Sequence, residues 1–88
     1  SHSLNILEFL PLAEGYTIAQ VEPPKPFVGK SIMELELRKR YQVNVIAVKE
    51  QFPERFIMVP GADFIVKETD ILVTLGKEKD LAKIRELK

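Results

Sequence analysis

Val43-Asn44-Val45-Ile46-Ala47-Val48 is the most hydrophobic stretch of the chain. A continuous apolar run of this length predicts a central strand covered on both faces. Ile71-Leu72-Val73-Thr74-Leu75, closed by Gly76, reads as another buried strand, and Phe56-Ile57-Met58-Val59 as a shorter one. Tyr16-Thr17-Ile18-Ala19-Gln20-Val21 alternates and is rich in β-branched residues, which predicts a fourth strand. Neither of its faces is cleanly apolar, so its inward side is left open. Turn signals separate these runs: Leu12 to Gly15, Pro60-Gly61, and Lys67 to Asp70. Gln51 to Arg55, with Pro53, reads as a polar loop, and Pro23-Pro24-Lys25-Pro26 as an extended connector.

Two segments carry helical signals. Ser31-Ile32-Met33-Glu34 has the spacing of a capping box, so a helix is predicted from Ser31 or Ile32 to about Tyr41. Met33, Leu37 and Tyr41 form one apolar stripe, and Ile32 and Leu35 a second. Glu34 with Arg38 and Glu36 with Arg40 are spaced as i, i+4 ion pairs, worth roughly 0.2–0.5 kcal/mol each. Glu78 to Leu87 forms the last helix, with Leu81, Ile84 and Leu87 inward. The order β-α-β-β-β-α predicts an α+β domain, a small mixed sheet with two packed helices. The helix between Val21 and Val43 permits one parallel crossover. Ser1-His2-Ser3 reads as appended residues or a frayed end, 4–15 as an N-terminal connecting segment, and 16–88 as the domain proper.

Composition excludes several chemistries. Eighty-eight residues make one domain, which buries roughly 60–65% of the surface of its unfolded chain. Thirteen basic residues balance thirteen acidic ones, which argues against nucleic acid or anionic lipid as partner. Cysteine is absent and His2 is the only histidine, so thiol or histidine metal sites and histidine-based catalysis are not expected. The glycines stand singly at 15, 29, 61 and 76, with no phosphate-binding loop. No apolar run reaches a membrane span. The expected class is a non-enzymatic, cytoplasmic domain without metal or resident cofactor. Asp63 and Asp70 fall at turns, where aspartate bonds local backbone amides. Arg38 beside the apolar stripe, Asn44 inside an apolar strand and Pro60 after another could border one cleft for a small, planar anion. Their plainer roles are an ion pair, a loop contact and a turn.

Three ordered motifs resemble one family. Val28 to Arg38 resembles the opening of the C-terminal RCK domain, also called TrkA-C, which runs hydrophobe-Gly-Lys-Ser/Thr-Leu-x-Glu-Leu-Asp-Leu-Arg. Tyr41 to Val48 is similar to its Tyr/Phe-Gly-Val-Asn-Val-Ile-Ala-Ile strand, and Asp70 to Gly76 to its Asp-x-Leu-x-Val-x-Gly strand. Gln42 and Thr69 stand at turn positions where the family usually has glycine. The resemblance spans about 16–87 and implies regulation of potassium transport. It implies a homodimer, a Rossmann-type N-terminal RCK domain in the full-length protein, and a membrane potassium-translocating subunit as partner. In the Ktr-like branch it implies cyclic di-AMP as effector in the dimer cleft. Carried over by motif, that cleft is lined by Ile32, Met33, Glu36, Leu37, Arg38, Lys39, Asn44, Val45 and Pro60. Arg38 would bond a phosphate, Asn44 a phosphate or ribose, and the apolar side chains with Pro60 would flank adenine. Lys39 stands where that branch has a smaller residue. The competing reading is a structural dimerisation module of a gating ring, with no ligand of its own.

Overall fold

The computed structural model describes residues 6–11 and 14–88. Five strands form one sheet in the order β1-β2-β5-β3-β4: β1 Ile6–Pro11, β2 Tyr16–Val21, β3 Asn44–Glu50, β4 Arg55–Met58 and β5 Ile71–Lys77. Among the described residues three helices accompany them, α1 Ile32–Leu35, α2 Leu37–Tyr41 and α3 Glu78–Arg85, with a 3₁₀ turn at Lys25–Phe27. The architecture is α+β with helices packed on a sheet, as expected, but every ladder among the described residues is antiparallel, not mixed. The cause is the position of β5. It lies between β2 and β3, antiparallel to each, so those two strands point the same way without touching. The segment read as an N-terminal connector contributes β1, an added edge strand on β2. Ser1-His2-Ser3, Leu4, Asn5 and two residues of the Leu12–Gly15 turn lie outside the described residues.

The capping box forms as predicted. The Glu34 amide donates to Ser31 Oγ at 3.0 Å, and the Ser31 amide donates to Glu34 Oε1 at 2.8 Å. Ser31→Ala is expected to lower stability by about 0.5–2 kcal/mol, read from a urea unfolding curve, because the Glu34 amide loses its acceptor. The predicted single helix is broken, however. Glu36 takes a left-handed conformation (φ 48°, ψ 45°) and separates α1 from α2. The break lets Leu35 and Leu37 both enter the core, while Ile32 and Tyr41 pack against it. Both apolar stripes are therefore covered by the chain itself, except Met33, which is 67% exposed. Neither Glu34–Arg38 nor Glu36–Arg40 forms an ion pair among the described residues. The Glu34 carboxylate is held by the cap, and the turn at Glu36 destroys the i, i+4 register.

Gln42 keeps the left-handed turn that the family makes with glycine (φ 57°, ψ 35°). Its side-chain amide donates to the carbonyls of Arg38 and Lys39 at 3.4 and 3.3 Å, which helps to close α2. Gly76 lies inside β5 rather than ending it. A Cβ there would come within 2.9 Å of Val43 Cγ2, so the strand passes the start of β3 with no room for a side chain. Asp70 behaves as predicted for a turn aspartate, its Oδ2 accepting from the Lys67 amide at 2.8 Å. Asp63 is exposed and makes no such bond among the described residues.

A polar brace ties the β3–β4 hairpin to the turn before β5. Glu50 accepts from Lys67 Nζ at 2.9 Å and from Arg55 Nε at 2.8 Å, and Lys67 Nζ also lies 3.4 Å from Asp70 Oδ2. The Lys67 bond, then that of Arg55, holds the Glu50 carboxyl below its ordinary value of 4.5. A carboxyl depressed by folding contributes stability that is complete above about pH 4.5 and is lost as pH falls through its lower folded value. Glu50→Gln is therefore expected to flatten the acid limb of the stability profile below that pH. Thermal melts across pH 2–7 check this, and an unchanged acid limb would refute it.

Candidate functional site

Three segments carry the motif residues: α1 with α2, the start of β3, and the loop after β4. Backbone hydrogen bonds gather them. The Met33 amide donates to the Ala62 carbonyl at 3.0 Å, which sets the start of α1 two residues from Pro60. The Val59 amide donates to the Ile46 carbonyl at 2.9 Å, which sets Pro60 beside the Asn44–Val45 end of β3. The Val43 amide donates to the Leu37 carbonyl at 3.3 Å, tying α2 to the same end of β3. One corner of the domain thus brings together residues far apart in sequence.

Within this corner the motif residues differ in role. Met33, Glu36, Arg38, Lys39 and Asn44 are exposed; Ile32, Val45 and Pro60 are half-buried. Leu37 is 5% exposed and belongs to the core cluster, so in this chain it anchors α2 instead of facing a ligand. Glu36 supplies the break that starts α2 anew before Arg38. Arg38 and Lys39 meet no carboxylate among the described residues, which leaves two cations on the last turn of a helix with their charge uncompensated. Asn44 likewise makes no side-chain hydrogen bond there, so the loop contact that would explain it structurally is absent. Uncommitted guanidinium, ammonium and amide groups beside half-buried apolar side chains can bind an anion that also carries a flat apolar part.

Sequence reasoning missed Val59. It adopts φ 47°, which is costly for a β-branched residue, and it is 80% exposed directly before Pro60. No residue type announces such a turn; only its bond to Ile46 shows why the chain accepts it. The corner is open surface on a single chain. An open depression of about 620 Å³ lies elsewhere, lined by residues that include Glu22, Lys25, Val28 and Asp70 and by none of the nine residues carried over to the cleft. Among the described residues no group of three His, Cys, Asp or Glu is arranged to hold a metal, and no helix is long and apolar enough to cross a membrane.

The model of the TrkA-C domain matches residues 16–88. The chain belongs to the TrkA-C domain family. Its relatives include the Ktr system potassium uptake protein C of Bacillus subtilis (strain 168), 25% identical over 84 residues, which covers 96% of this chain and 37% of that protein. The K(+)/H(+) antiporter subunit KhtT of the same organism is 38% identical over 65 residues, covering 74% of this chain and 39% of that protein. The TrkA-C domain described here thus spans less than two fifths of the length of either relative. Among solved structures, the RCK C domain of the potassium transport protein KtrA, in complex with cyclic diadenosine monophosphate, superposes with a TM-score of 0.73 at 28% identity. That match covers 81% of each chain. The region matched by the TrkA-C model begins at β2, so β1 stands outside it.

Proposed function

We propose that this TrkA-C domain is the cytoplasmic sensing module of a potassium transport system, and that two copies bind one cyclic di-AMP between their gathered corners. The observation that carries this reading is the convergence of Ile32, Met33, Arg38, Asn44 and Pro60, with Arg38, Lys39 and Asn44 uncommitted. The complex formed by the KtrA domain supports the choice of ligand, and the relatives' names support the transport context. Each Arg38 would neutralise one phosphate, with Lys39 adding charge nearby. Asn44 would bond a phosphate or ribose, and Ile32, Met33, Val45 and Pro60 would flank adenine. A twofold ligand suits a twofold pair, because each half meets the same residues. In the full-length protein a Rossmann-type RCK domain would precede this module, and a membrane potassium-translocating subunit would receive its signal.

Isothermal calorimetry of cyclic di-AMP into the 88-residue chain tests the reading. Saturable heat at one ligand per two chains is expected. Absence of binding at millimolar ligand would overturn it and leave the TrkA-C domain as a dimerisation module alone.

A further inference from the structure

Two irregularities of the backbone meet at the effector corner. The first is a bulge in β3. Val45 pairs with Thr74 of β5 and Ala47 with Val73, so Ile46 is an extra residue with no partner across that ladder. Side chains alternate along a strand. A regular β3 would therefore turn Asn44 to the side of Val48, into the core, and Val45 to the side of Ala47. The extra residue inverts this order: Val45 packs against the core cluster and Asn44 is exposed. The second irregularity is Val59, whose φ of 47° is a left-handed conformation. One hydrogen bond joins the two, from the Val59 amide to the Ile46 carbonyl at 2.9 Å.

Valine is a poor choice for this turn on two grounds. A left-handed backbone is disfavoured for a residue branched at Cβ, whereas glycine or asparagine takes it readily. The Val59 side chain is also 80% exposed, so it gives the fold little burial in return. The bond to Ile46 uses the backbone amide alone, which glycine and asparagine supply equally well. Strained residues of this kind gather where a chain holds a ligand.

The corner has a use for the side chain. Of the apolar residues carried over to the cleft, Leu37 lies in the core, and Ile32 and Val45 pack against it. Met33, at 67% exposure, and half-buried Pro60 supply most of the apolar surface that is left. Val59 stands directly before Pro60 and adds to it. We propose that the Val59 side chain is a further contact of the effector site, flanking an adenine beside Pro60, once from each chain of the pair. The β3 bulge serves the same site by turning Asn44 out of the core, and the Ile46–Val59 bond holds the two in register. The inference rests on the proposed cyclic di-AMP reading and adds a residue to it.

Calorimetry of cyclic di-AMP and thermal melts, on the 88-residue chain and on variants at position 59, test this. Val59→Asn is expected to raise the melting temperature by a few degrees, because asparagine accepts the left-handed backbone. The same variant is expected to bind cyclic di-AMP at least tenfold more weakly, because two apolar contacts leave one bound ligand. A role confined to the fold would move stability and leave affinity unchanged. Val59→Gly, which removes the side chain without replacing it by a polar one, is expected to show the same loss of affinity. Val59→Ile keeps the apolar surface and is expected to bind within threefold of the native chain. Native-like affinity in Val59→Asn and Val59→Gly overturns the inference. So does an equal loss in Val59→Ile, which would assign the effect to the backbone. A lowered melting temperature in Val59→Asn overturns it as well, because the fold itself would then require valine. Absence of binding by the native chain overturns the cyclic di-AMP reading and this inference with it.

Discussion

Arg38→Ala is expected to weaken cyclic di-AMP binding at least a hundredfold while leaving the fold intact. A hydrogen bond to a charged group contributes roughly 1.5–3 kcal/mol. The proposed pair loses two of them, one from each chain, and each 1.4 kcal/mol is tenfold in affinity. The fold should not notice, because the Arg38 side chain is exposed and forms no ion pair among the described residues. What Arg38 gives the fold is its carbonyl, which accepts from the Gln42 amide at 3.1 Å and is retained in alanine. Calorimetry at equal chain concentration reads the affinity, and a thermal melt reads the fold. An affinity within threefold of the native value would remove Arg38 from the site.

Leu72→Ala is expected to lower stability by about 2–5 kcal/mol. Leu72 is 1% exposed in β5 and is paired with Val21 on one side and Val48 on the other, both buried. Deleting its side chain leaves a cavity under the helices that a strand paired on both edges cannot close. Domains of this size hold only about 5–15 kcal/mol in total, so the substitution removes a large fraction of it. Urea unfolding with an unchanged slope checks the value. A loss under 1 kcal/mol would show that the core relaxes around the gap.

Much of this architecture was legible because its causes are local. The capping box at Ser31 and Glu34, the apolar runs of β3 and β5 and the inward set Leu81 and Ile84 each follow from residues close in sequence. The break at Glu36 was not, since glutamate carries no preference for the left-handed region; what selects that turn is the burial of Leu35 and Leu37 on either side of it. The insertion of β5 between β2 and β3 was also hidden, because strand propensity states that a strand exists and not which neighbours it takes. β1 was ambiguous for its length: six residues do not separate one period from another, and its place comes from the ladder with β2. At the candidate site the motif supplied the residue types. The gathering came from bonds that join Met33 to Ala62 and Val59 to Ile46, which no spacing encodes.

The central position of β5 has a consequence for how the domain comes into being. The last of the five described strands in chain order joins the two halves of the sheet, β1–β2 on one side and β3–β4 on the other. Until residue 77 has left the ribosome, each half is an isolated hairpin, and such hairpins are marginal in water. Folding of this sheet must therefore wait for β5 and then close long loops, which favours slow, all-or-none assembly. In that interval the two edges that β5 will occupy stand open to other nascent chains.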